Sequence, residues 1–144
     1  MMAAKTFDGA VLEDPMLRAD YGIVLIEDDQ GLREALERVL RSSGYDVVAL
    51  GSGEELQLLL GNTGFPSSCR CVICDVRLPG IGGFELRRRA AELAPLPPWI
   101  YISAFDDVTT RRQVEREGAD FLQKPFPGKT LLALVASHSP PGRT

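Results

Sequence analysis

Basic charge is in short supply in this chain of 144 residues: 16 Lys and Arg stand against 20 Asp and Glu, for a formal net charge of −4. Nonspecific nucleic-acid binding needs a basic surface, so direct binding to nucleic acid is not expected. Long apolar runs are lacking too. None approaches the length of a membrane span, so no membrane partner is expected. Residues 1–20 have no basic start followed by an apolar core, and do not read as a secretory signal. Cysteine is sparse, with 3 residues, an odd number without an export signal. They read as reduced thiols of a cytoplasmic protein. What is present is ordinary globular usage, 25% charged and 44% hydrophobic, in a length that suits one domain.

Cys71 and Cys74 form a C-x-x-C. On a strand, positions three apart point to opposite faces, so the two sulfurs cannot share a metal or close easily into a disulfide. They read as small buried hydrophobes. Cys69, in the loop before that strand, is expected to be exposed. His138, the single histidine, has no partner motif and is given no role.

Residues 1–20 show no sustained periodicity and read as a flexible arm with at most a helical turn; residues 139–144 read as a tail. Between them, over 21–138, strand and helix patterns alternate. Strands are expected near 22–27, 45–50, 71–75, 99–103 and 119–123. After the first, Leu32, Ala35, Leu36, Val39 and Leu40 form an amphipathic stripe. Ser52-Gly53-Glu54-Glu55 has capping-box spacing and opens a second helix. A third helix carries Phe84, Leu86, Ala90 and Leu93, and Pro95, Pro97 and Pro98 stop it. The fourth, over 107–117, has only Val108 and Val114 as aliphatic members and is expected to be the least firmly held. A fifth begins near Pro127. Five βα units imply an α/β fold with a parallel sheet and helices on both faces. The continuous apolar runs suit strands buried on both sides.

The strands end in chemistry. Ile23-Val24-Leu25-Ile26 runs into Glu27-Asp28-Asp29, and Cys71-Val72-Ile73-Cys74 into Asp75. Trp99-Ile100-Tyr101-Ile102 runs into Ser103-Ala104, and Ala119-Asp120-Phe121-Leu122-Gln123 into Lys124-Pro125. In an open parallel sheet those ends lie along one edge, where ligands bind. The pattern reads as acidic groups gathered around a metal, with Asp75 accepting a phosphoryl group. Taken singly, each residue also has a plain reading. Asp29 suits a helix N-cap, Lys124 a solvated surface lysine, Ser103 a turn hydroxyl, and Phe121 a core aromatic.

Over residues 22–138 the chain resembles the receiver domains of bacterial two-component response regulators. The resemblance rests on five marks in order: the acidic pair Glu27 and Asp28; Asp75 with Leu78-Pro79-Gly80 behind it; Ser103 before the small Ala104; Phe121; and Lys124-Pro125. The stretches Asp75–Gly80 and Gly118–Phe126 are similar to FixJ-type receivers. The resemblance implies a flavodoxin-like, doubly wound, five-stranded parallel sheet in the order 2-1-3-4-5. It implies Asp75 as phosphoacceptor, with Asp75 and Lys124 as the catalytic pair. Mg²⁺ (or Mn²⁺) would be held by Glu27, Asp28, Asp75 and the backbone carbonyl of Arg77. Lys124 and Ser103 would stabilise the phosphoryl group, and Ser103 and Phe121 would form the switch. The donor would be a histidine kinase or a histidine phosphotransfer protein. A downstream protein would read the face made by the fourth helix, fifth strand and fifth helix. Homodimerisation is left open.

The residue types suit that chemistry. A carboxylate attacking a phosphate approaches another anion, and a divalent ion removes the repulsion. Mg²⁺ takes hard oxygen ligands. A fixed cation such as Lys124 offsets the charge on the transferred group. Two positions vary from the commoner pattern: Glu27 stands where many relatives have aspartate, and Phe121 where tyrosine is usual. Two competing readings are weaker. A haloacid-dehalogenase-type phosphatase would need an acidic residue two positions past its nucleophile, yet Gln30 follows Asp28 and Gly31 follows Asp29 at that distance. A scaffold that is never phosphorylated would not need Asp28, Asp75 and Lys124 together. The expected protein is therefore no turnover enzyme; it catalyses only its own phosphorylation and dephosphorylation.

Overall fold

The computed structural model describes residues 21–138 and, in the preceding segment, the backbone of Thr6–Phe7 and Ala10–Val11. Those two short strands pair antiparallel, in an arm for which the sequence suggested at most a helical turn. The rest of the arm and the tail 139–144 lie outside the described residues.

The elements alternate as β1 (Ile23–Ile26), α1 (Gln30–Ser42), β2 (Val47–Leu50), α2 (Gly53–Leu60), β3 (Cys71–Asp75), α3 (Gly83–Leu93), β4 (Trp99–Ser103), α4 (Val108–Arg116), β5 (Asp120–Gln123) and α5 (Gly128–Ala136). The five strands are parallel in the order β2-β1-β3-β4-β5. This is the doubly wound, flavodoxin-like sheet that the resemblance implied.

Strand alternation sorts the core into two layers. Val24, Ile26, Val72, Cys74, Trp99 and Tyr101 pack with Leu56, Leu60, Leu86, Ala90 and Val114 of α2, α3 and α4. Ile23, Leu25, Cys71, Ile73, Ile100 and Ile102 pack with Leu36, Leu40, Leu131 and Val135 of α1 and α5. Cys71 and Cys74 thus lie on opposite faces, as their spacing requires. Cys69 corrects the sequence reading: it is buried, and its thiol donates to the Cys71 carbonyl at 3.6 Å. Burial pushes the Cys69 and Cys71 thiols up to about 12, and raises the Cys74 thiol well above its ordinary value. All three are inert at neutral pH.

The helix starts follow from local chemistry. Asp29 caps α1 by accepting the Leu32 amide at 2.8 Å. Ser52 caps α2 by accepting the Glu55 amide, and the Glu55 carboxylate accepts back from Ser52 Oγ and the Gly51 amide. Asp107 caps α4 through the Thr110 amide at 2.7 Å. Two apolar members of these helices face solvent. Leu93 of α3 is 49% exposed and Val108 of α4 is 63% exposed. In α4 the inward face is Thr110 and Val114, an i,i+4 pair, and Val108 lies off it. Among the described residues, no helix is long and apolar enough to cross a membrane.

Candidate functional site

The parallel sheet brings the ends of β1, β3, β4 and β5 to one edge. Glu27 follows β1 and is buried, while Asp28 beside it is exposed. Asp75 closes β3 and Ser103 closes β4, both buried. Lys124 follows β5, and its amide donates to the Ser103 carbonyl at 2.8 Å, which fixes where its side chain starts.

The side chains converge. Lys124 Nζ donates to Asp75 Oδ2 at 2.6 Å and lies 2.8 Å from Glu27 Oε1. Asp75 Oδ1 accepts the Arg77 amide at 2.9 Å. Glu27 Oε2 accepts the Asp29 amide at 3.0 Å. Ser103 Oγ accepts the Phe105 amide at 3.0 Å, so the plain turn role of this hydroxyl is present here. Burial alone would lower the pKa of Lys124, but its bonds to Asp75 and Glu27 outweigh that and raise it, so the amine is a fixed cation.

Glu27 is the least satisfied member. Burial raises its pKa, and Lys124 and the Asp29 amide only partly offset the effect. Its Oε1 is buried and, despite the short ion-pair distance to Lys124, makes no aligned hydrogen bond. One oxygen each from Glu27, Asp28 and Asp75 can be chosen within 4.8 Å of one another. A buried, under-satisfied oxygen in an all-carboxylate set fits a hard divalent cation.

A stability prediction follows. A carboxylate whose folded pKa is raised costs stability once it ionises, and the cost is complete above its folded pKa. Glu27→Gln should therefore raise metal-free stability at pH 7, by on the order of 1 kcal/mol. The gain should vanish as the pH falls below about 4, where the glutamate is protonated in both states. Thermal melts in chelator across pH check this. A Glu27→Gln protein less stable than wild type at pH 7 would mean that the Lys124 pairing outweighs burial.

Several neighbours were not legible in the sequence. Arg33 Nη1 donates to the Glu27 carbonyl at 2.8 Å. The Arg77 guanidinium stacks on Phe105 at 3.9 Å and lies 3.8 Å from Asp107, joining the loops after β3 and β4. Phe121 is half-buried beneath Arg111, 4.9 Å from its ring. His138, given no role from sequence, pairs with Asp120 at 2.6 Å at the far end of β5. None of these pairs carries a local sequence signal.

The family model for the response regulator receiver domain matches residues 23–136. The chain belongs to this family. The receiver is 36% identical over 116 residues to nodulation protein W of Bradyrhizobium diazoefficiens, covering 80% of this chain and 49% of that protein. It is 34% identical over 117 residues to the transcriptional regulatory protein FixJ of the same organism, covering 80% and 55%. It is also 36% identical over 118 residues to the response regulator FleR of Pseudomonas aeruginosa, covering 81% and 24%. The receiver thus spans about half the length of these relatives or less. A CheY-like receiver domain protein of Methanospirillum hungatei superposes with a TM-score of 0.71 at 22% identity, covering 83% of this chain and 93% of that one, and shows the shared fold. The BeF3-activated DrrB receiver domain superposes with a TM-score of 0.68 at 27% identity, covering 82% and 96%. Membership implies phosphorylation-dependent signalling in a two-component system.

Proposed function

We propose that this receiver is a switch whose phosphoacceptor is Asp75. The observation that carries the reading is the buried Asp75 carboxylate, bonded to Lys124 at 2.6 Å and grouped with Glu27 and Asp28 at the sheet edge. A histidine kinase or a histidine phosphotransfer protein supplies the phosphoryl group. An Asp75 oxygen attacks phosphorus, the bond to the donor nitrogen breaks, and the imidazole leaves. Glu27 (directly or through water), Asp28, Asp75 and the Arg77 carbonyl would hold Mg²⁺ or Mn²⁺. Such an ion, when bound, shields the carboxylate from the incoming phosphate and holds its oxygens in line. Lys124 contributes a second fixed charge, which acts strongly in a site partly shielded from water. Ser103 turns its hydroxyl from the Phe105 amide to the phosphoryl oxygens, and the exposed Ala104 leaves room there. The chain acts on itself and turns over no separate substrate.

The output face comprises α4, β5 and α5, and a downstream protein reads the surface around Thr109, Arg112 and Phe121. Ser103 moving toward the phosphoryl group is the differential contact that any such shift requires.

Incubation with acetyl phosphate and Mg²⁺ tests the reading. Intact-mass measurement should show one phosphoryl adduct per chain, removed by hydroxylamine and absent when the metal is chelated. A chain that takes no adduct with Mg²⁺ present is not a phosphorylated switch. An adduct that forms equally well in chelator leaves the carboxylates without a metal role.

A further inference from the structure

Helix α4 has little apolar attachment, since its buried residues are Thr110 and Val114. Its last turn is held by a polar cluster instead. Glu117, which caps α4, accepts the Tyr101 hydroxyl at Oε1 (2.5 Å) and the Gln113 amide at Oε2 (2.8 Å). Arg87 of α3 donates to the Glu117 carbonyl at 3.2 Å and lies 3.5 Å from Oε1. Tyr101 is wholly buried, with its ring edge-on to Phe84 of α3 at 4.7 Å. One phenol on β4 therefore joins β4, α3 and α4.

Two placements connect this cluster to the candidate site. Tyr101 precedes Ser103 by two residues on β4, so the two side chains share the face that α4 covers. Tyr101 is also the register partner of Phe121 on β5, and both pack into the same core layer. A pull on Ser103, or an inward turn of Phe121, presses on the residue that anchors α4. Burial and the bond to Glu117 raise the phenol's pKa, so it remains a donor at any working pH.

We propose that Tyr101 is the positioning residue for α4 in this chain: its hydroxyl bond to Glu117 holds α4 in the resting form, and that bond must break to reach the phosphorylated form. This deepens the reading of Asp75 as phosphoacceptor and rests on it. A bond present only in the resting form weakens every ligand that selects the other form.

Tyr101→Phe deletes the hydroxyl and little else. With beryllofluoride and Mg²⁺ as the probe, the variant should bind about tenfold more tightly than wild type, the factor that a hydrogen bond to a charged group carries. A purely structural role would leave binding unchanged or weaken it. Without ligand, amide exchange at Glu117 and Ala119, whose amides bond to Gln113 and Val114 carbonyls, should quicken by about the same factor. Unchanged or weaker beryllofluoride binding by a folded Tyr101→Phe overturns the proposal, as does unchanged exchange. If Tyr101→Phe does not melt cooperatively, Glu117→Gln decides in its place. It weakens the same bond and should tighten binding about threefold, with no change counting against the proposal. If wild type binds no beryllofluoride, the Asp75 reading fails instead, and the ligand-free exchange alone decides whether Tyr101 holds α4.

Discussion

Asp75→Asn should take no phosphoryl group from acetyl phosphate under conditions where wild type gains one. The expected loss is at least about a hundredfold in labelling rate, since an amide oxygen replaces the only nucleophile proposed. The fold should survive the change. The Asp75 contact with the Arg77 amide uses Oδ1 as an acceptor, and asparagine keeps an oxygen acceptor there. Lys124 keeps Glu27 as a counterion at 2.8 Å. Removing one of three clustered carboxylates also relieves repulsion in the metal-free protein. Loss of labelling with an unchanged or raised melting point therefore reads as lost chemistry rather than lost structure. If Asp75→Asn labels as fast as wild type, another residue is the acceptor and the site has been misassigned.

The placement of this site was legible because parallel topology does the assembling. Four apolar runs end in Glu27, Asp75, Ser103 and Lys124, and parallel strands must put those ends together. No side-chain detail was needed for that step. Pairings across loops and between distant elements were another matter. Cys69 looked exposed because it sits in a loop, yet the loop is fastened by Ser68 Oγ to the Tyr21 carbonyl at 3.2 Å, and the thiol is buried against the Cys71 carbonyl. His138 and Asp120 meet only because α5 runs back along β5. Tyr101 read as one more member of an apolar strand. Its hydroxyl finds Glu117, 16 residues later, at the end of a helix whose path the sequence does not specify. Local patterns specify periodicity and caps, but a polar partner at long range depends on packing angles that periodicity does not encode.

The resemblance made Phe121 the switch aromatic, a phenylalanine where tyrosine is usual. The fold places a wholly buried Tyr101 beside it in register and Arg111 above its ring. An inward turn of Phe121 would therefore have to pass residues on β4 and α4 that family motifs do not mention.

Gly83→Ala is expected to be the most damaging small substitution near the site. Gly83 begins α3, and a methyl group there would stand 2.4 Å from the Asp75 carbonyl oxygen and 3.1 Å from Val76 Cα. Both are backbone atoms, so no flexible side chain can yield. The Gly83 amide also donates to the Val76 carbonyl at 2.9 Å, which binds the helix start to the strand end that carries Asp75. Alanine ordinarily favours a helix over glycine by about 1 kcal/mol, so propensity and sterics oppose each other here. Overpacking against backbone costs roughly 1–3 kcal/mol, and sterics should win. We expect a net loss of about 1 kcal/mol, a drop in melting temperature of roughly 3–5 °C for a domain of this size. Phosphorylation should slow as well, because relief of the clash must move the backbone of Asp75 itself. Gly31→Ala is the control. Its nearest neighbour is Asp29 Oδ1 at 3.5 Å, an ordinary contact, so propensity alone acts and stability should hold or rise. Should Gly83→Ala melt as high as Gly31→Ala, the junction between β3 and α3 is more compliant than its packing indicates, and close approach of α3 is not what fixes Asp75.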